Sequence, residues 1–114
     1  MKQKRNKTRA IPDDVIQEVQ TIVERFNKKN PSRDDCYYEV EFKGKYCYLN
    51  RCDYDSMDPI CRLGYTGKMD KWSFAIFKWS SETYDADEWM FPGSELADGT
   101  IEGAMKAGLE AYPV

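Results

Sequence analysis

The feature that most constrains the fold is an apolar stripe near the start of the chain. Val15, Ile16, Val19, Ile22, Val23 and Phe26 recur at helical period with polar residues between them, the pattern of an amphipathic helix that packs one face on a core. Pro12, Asp13 and Asp14 suit its first turn, where proline is tolerated and the N-terminal dipole favours acids. Lys28, Lys29 and Asn30 suit its end, and Pro31 forbids its continuation.

The period then changes from helix to strand. From Cys36 to Phe42 the side chains alternate, with Cys36, Tyr38, Val40 and Phe42 pointing one way and Tyr37, Glu39 and Glu41 the other. Lys43-Gly44 reads as a two-residue hairpin turn, which sets Val40 opposite Cys47, Tyr38 opposite Leu49 and Cys36 opposite Arg51. The second strand, Lys45 to about Cys52, then places Tyr46 and Tyr48 beside the glutamates. An acidic link from Asp53 to Asp58 leads to a third strand, Ile60 to Thr66. Gly67-Lys68-Met69-Asp70 turns into a fourth, Lys71 to Trp79, which is apolar on both sides and calls for cover on both.

Ser80 to Gly99 reads as a long irregular stretch, held down by Tyr84, Trp89, Met90 and Phe91. Thr100 is a good N-cap for a last helix from Ile101 to about Tyr112, whose Gly103, Ala104, Ala107, Gly108 and Ala111 allow close approach of another element. The expected fold is α+β: a four-stranded antiparallel meander sheet flanked by an N-terminal and a C-terminal helix, in the order αββββα, with both helices on one face.

Length and charge divide the chain in two. Residues 1–10 read as a flexible basic arm, and residues 11–114 as a single domain. The arm holds five of the 17 basic side chains and no acid, so the remainder carries 12 basic against 20 acidic side chains, a net of −8. An acidic body repels phosphate backbones and anionic lipid heads, so nucleic acid is an unlikely partner except for weak contact through the arm, and no membrane is expected. No apolar run approaches the roughly 20 residues of a membrane helix, and no secretory signal is evident, which predicts a cytoplasmic protein.

The chain contains no histidine, which excludes Ser-His-Asp triads, Cys-His dyads and histidine-bearing zinc sites. Cys36, Cys47, Cys52 and Cys61 lack a C-x-x-C spacing and read as buried thiols. Asp53, Asp55 and Asp58 lack the glycine and closing glutamate of a calcium loop and read as a solvated turn. Asp85, Asp87 and Glu88 read as a charged loop. No catalytic residue, metal or cofactor is expected from these groups.

Two aromatic constellations remain. Tyr37, Tyr46 and Tyr48 share a sheet face with Glu39 and Glu41, a surface that the long loop or a second subunit would cover. Arg62, Tyr65, Trp72, Tyr84, Trp89 and Phe91 are candidates for an aromatic pocket with a single cation, suited to a small anionic or planar ligand.

The runs RLGY, W-x-F-A, EWMFPG and TIEGAMKAGLEAYP resemble small prokaryotic proteins grouped only as a domain of unknown function. The resemblance covers residues 11–114 and implies no activity, ligand or catalytic residue. The residues themselves point to a non-enzymatic binding or protein-interaction module, homodimeric through the aromatic sheet face. The alternatives are a small-ligand protein or minor enzyme that uses the Arg62 cleft with Asp87 or Glu88 as base, and weak nucleic-acid contact through the arm.

Overall fold

A computed structural model describes residues 11–29, 36–53 and 56–113. The basic stretch 1–10, Asn30, Pro31 and Asp55 lie outside the described residues. Within them the chain forms α1 (Asp13–Lys29), β1 (Cys36–Lys43), β2 (Tyr46–Asp53), β3 (Ser56–Gly64), β4 (Ser73–Lys78), β5 (Thr83–Asp85) and α2 (Ile101–Ala111). The sheet is an antiparallel meander in the order β1-β2-β3-β4-β5. The class is α+β as expected, but the strands number five rather than four.

The fifth strand comes out of the stretch expected to be irregular. Three residues, Thr83–Asp85, pair with β4 so that Tyr84 lies opposite Phe77. The turn before them is made by Glu82 in the left-handed region, at φ 54. That conformation is uncommon outside glycine, so the sequence gives no turn signal there.

The first hairpin also departs from the expected register. Val40 faces Leu49, Phe42 faces Cys47, Tyr38 faces Arg51 and Cys36 faces Asp53, because the two turn residues are Gly44 and Lys45 rather than Lys43 and Gly44. Gly44 has φ 59 and Lys45 is not at positive φ, as a type II′ turn requires of its two central positions. The slip is two residues, so every side chain keeps the expected face.

The described ends of the acidic link, Asp53 and Ser56 to Asp58, are strand rather than loop. Asp53 closes β2 opposite Ser56, and Asp58 lies in β3 opposite Arg51. β3 runs through Pro59 because the pairing shifts between Leu49 and Asn50, leaving Ile60 as an extra residue between Pro59 and Cys61. A bulge tolerates a residue without an N–H. β4 starts later than expected, at Ser73, since the Trp72 N–H donates to the Gly99 carbonyl instead of to β3.

Both helices lie on the face that carries Tyr38. From α1, Val15, Val19, Val23 and Phe26 meet Tyr38, Leu49, Leu63, Phe74 and Ile76 from the sheet, together with Ile101, Ala104, Met105 and Ala107 from α2. Each Leu or Ile so buried contributes about 1.5–3 kcal/mol. Tyr38 joins the layers. Its ring meets Phe26 edge-on at 5.9 Å, and its hydroxyl donates to the Met105 carbonyl at 2.7 Å. The Asn27 amide bonds both its backbone groups, at 2.9 and 3.0 Å. Arg51, 7% exposed, lies 5.9 Å from the same ring and donates to the Tyr112 carbonyl at the end of α2, where the helix dipole favours a cation.

The small residues of α2 serve the expected close approach. A Cβ on Gly108 would overlap the Tyr38 hydroxyl and lie 2.6 Å from Ile60 Cγ2. At the other end of the helix the Thr100 side chain accepts from the Gly103 N–H at 2.9 Å. Asp98 in turn accepts from the Thr100 hydroxyl and backbone at 2.6 and 3.1 Å, and the hydroxyl bond is the main reason its carboxyl lies below the usual range.

Gly108→Ala should therefore lower the unfolding free energy in urea by about 1–3 kcal/mol, even though alanine is the better helix former by about 1 kcal/mol. A gain in stability would mean that α2 does not sit on Tyr38. Asp98 has a lowered native pKa, so its contribution is present above the unfolded value of 3.8 and is lost as pH falls through the native value. Melting curves between about pH 6 and about pH 3 should show a shallower acid decline in Asp98→Asn than in the parent. Parallel declines would remove Asp98 from that role.

Candidate binding face

Strand alternation puts a second set of side chains on the side of the sheet away from the helices. β1 gives Tyr37, Glu39, Glu41 and Lys43; β2 gives Tyr46, Tyr48 and Asn50; β3 gives Arg62; β4 gives Ala75 and Phe77; and β5 gives Tyr84. Trp79, just beyond β4, continues the row. The rings form an unbroken chain across the strands: Tyr46 to Tyr48 at 6.3 Å, Tyr48 to Tyr84 at 5.4 Å, Tyr84 to Phe77 at 5.1 Å and Phe77 to Trp79 at 5.0 Å. Their tilted and edge-to-face geometries are the favourable ones, worth about 0.5–1.5 kcal/mol a pair beyond burial.

The face is charged as well as aromatic. The Arg62 guanidinium lies 4.5 Å from the centre of the Tyr46 ring and 5.6 Å from that of Tyr84. Among the described residues no carboxylate stands within ion-pair distance of it. Lys45 sits over Tyr46 at 5.3 Å and Lys43 over Tyr48 at 5.9 Å, while Glu41 is held by the Asn50 amide at 3.0 Å. Partial burial raises the Tyr84 phenol above its usual value, with Arg62 acting in the opposite direction.

The tyrosines expected to share a face do so, but unequally. Tyr46 and Tyr48 are half-buried in the ring chain, whereas Tyr37 lies at the far end of β1 opposite Cys52, 39% exposed. The long loop reaches them through Tyr84, which packs on Tyr48. It supplies β5 to the sheet edge and then passes to the helix side, where Phe91 stacks on Phe74 at 6.0 Å and Trp89 lies 5.8 Å from Phe74. Ala75 and Phe77 are accordingly sheltered by neighbouring rings and not by a packed layer, and Trp79 is left 51% exposed.

The six candidate pocket residues separate into three groups. Arg62 and Tyr84 belong to the helix-free face. Tyr65 and Trp72 pack together at 5.0 Å in the helix-side core, and Trp89 and Phe91 pack on Phe74 at its margin. The sheet separates the first group from the others, because β5 carries Tyr84 to one face while the residues after it cross to the other. Phe77 and Trp79 are members of the face that the sequence pattern assigns only to the far side of β4. The polar Ser80-Ser81-Glu82 between Trp79 and Thr83-Tyr84 is the one signal that could have brought them together with Tyr84.

The acidic loop is tied up locally. Lys78 lies 3.8 Å from Asp85 and 3.5 Å from Glu88, and Asp85 accepts from the Asp87 N–H at 2.9 Å in an Asx turn. Grooves also lie away from the aromatic ring chain. One of about 430 Å³ runs between α1 and α2 among Ile22, Arg25, Lys29 and Asp98, and one of about 270 Å³ lies beside Lys78, Phe91 and Tyr112. Comparison with protein-family models, with curated proteins and with solved structures found no match for this chain.

The cysteines are thiols, three of them buried. Burial pushes Cys47 up to about 12 and Cys61 well above its ordinary value, so neither is a ready nucleophile. Cys52 is half-buried at the end of β2. A water-soluble disulfide reagent at about pH 8 should modify one thiol per chain quickly, and the other three only as fast as the protein unfolds. Two or more fast thiols would contradict the burial of Cys36, Cys47 and Cys61.

Proposed function

We propose that this chain is a non-enzymatic binding module whose working surface is the helix-free face of its sheet. The observation that carries the reading is Arg62, a half-buried cation stacked between Tyr46 and Tyr84 with no carboxylate partner among the described residues. A guanidinium held between rings is pre-organised to meet an anionic group, and the surrounding tyrosines offer large contact area at low entropic cost. Tyr and Arg are the residue types that dominate binding hot spots. The alternative of an enzyme with Glu88 as base is disfavoured by the place of Glu88, beside Lys78 on the helix side of the sheet from which Arg62 points away.

A residue kept for binding contributes little to the fold. Arg62→Met, which keeps the apolar stem and removes the charge, should change the unfolding free energy by less than about 1 kcal/mol. In the unsubstituted protein, benzoate used as a planar anionic probe should shift the amide signals of Tyr46, Arg62 and Tyr84 saturably, and in Arg62→Met it should not. A stability loss of about 3 kcal/mol or more would mean that Arg62 clamps the sheet, and would take away the basis of the reading. So would a probe that leaves those signals unmoved.

A further inference from the structure

Glu41, Tyr48 and Arg62 stand side by side on three adjacent strands, each the Cα partner of the next. With strands about 4.8 Å apart, the Cα atoms of Glu41 and Arg62 flank that of Tyr48, one strand away on either side. Among the described residues neither side chain is in an ion pair. A half-turn about an axis lying in the face along β2 exchanges these two sides and leaves Tyr48 at the centre. We infer that a second copy of this chain covers the face about such an axis, so that Arg62 of each copy meets Glu41 of the other across the paired Tyr48 rings. This rests on the reading of the helix-free face as the working surface.

Charge selects the axis. Along β3 the half-turn would set Arg62 on Arg62, and along β1 it would set Glu41 on Glu41; only β2 brings opposite signs together. The neighbouring rows are compatible with it. Lys43, Tyr46 and Gly64 form one row; the Tyr46 ring lies over Gly64, so that Lys43 falls on an aromatic face. Glu39, Asn50 and Pro59 form the other, so that Glu39 falls over an uncharged ring. Both charges of the central pair are already positioned, Glu41 by Asn50 and Arg62 by its two tyrosines, which reduces the entropy lost on association. The contact is isologous, and it closes at two copies.

Three strands give a footprint of about 14 Å by 20 Å, small against the roughly 800 Å² per partner of a standard interface. The dimer is therefore weak, with Kd between about 10 µM and about 1 mM. Sedimentation equilibrium from about 10 µM to about 1 mM tests it. Glu41→Arg and Arg62→Glu, each confirmed as folded by circular dichroism, should each dimerise at least about 30-fold more weakly, since each opposes like charges twice. An equimolar mixture of the two variants should regain the parent's affinity, because one copy then presents only cations and the other only carboxylates.

If Arg62→Glu does not fold, Arg62→Gln should weaken the dimer by about tenfold. A parent that stays monomeric at about 1 mM overturns the inference, as do single variants that dimerise normally or a mixture that does not. The probe binding and stability of Arg62→Met are read separately, so a monomeric parent leaves the reading of the face standing.

Discussion

Tyr38 is the residue through which the layers of this domain are joined. Its backbone is bonded to Asn27 of α1, its ring to Phe26 of the same helix, and its hydroxyl to the Met105 carbonyl of α2. Gly108 leaves the room that this hydroxyl occupies. Burial raises the phenol well above the usual tyrosine range, against the opposing effect of Arg51, so that it is a neutral donor at neutral pH. Arg51, from the strand beside it, lies against the ring and reaches the end of α2. One polar side chain thus does for both helices what an aliphatic residue could do only for packing: it fixes where each helix sits along the sheet as well as how close.

The two faces of the sheet are built on different physics. The helix side is aliphatic and closed, with Leu49, Leu63, Ile101 and Met105 fully buried in it. The opposite side is closed mainly by rings lying on one another, with cations over their faces. Rings that shelter each other in this way leave edges and polar tips in water, so the surface keeps shape and charge to offer a visitor. No helix of the described residues is long and apolar enough to cross a membrane, and the exposed aromatic groups belong to a sheet face and a loop.

Much of this was legible in the sequence where side-chain period alone decides the outcome. The stripe from Val15 to Phe26 and the alternation from Cys36 to Phe42 specify α1, β1 and the two faces of the first hairpin, and Thr100 caps α2 as its position suggests. What escaped is set by backbone details that leave little trace in residue type. The hairpin register turned on whether Gly44 takes the first or second turn position. β5 depended on Glu82 adopting positive φ, which its side chain does not announce. The six candidate pocket residues part for the same reason: with Tyr84 in a strand and Trp89 past it, residues close in sequence end on opposite sides of the sheet. Composition shows which rings are present, and only the order of strand edges shows which of them meet.

The margins of the sheet carry a consequence for what happens at high concentration. Among the described residues β1 has no strand beyond it, yet at Tyr38 its outward N–H and C=O are both taken by the Asn27 amide, a side chain standing in for a peptide group. At the opposite margin β5 offers three residues, too short a template for another chain to zip onto. Growth in the hydrogen-bonding direction, the route by which sheets become fibrils, is thus hindered at both ends. Contacts made on the broad side of such a sheet are finite and do not propagate in this way.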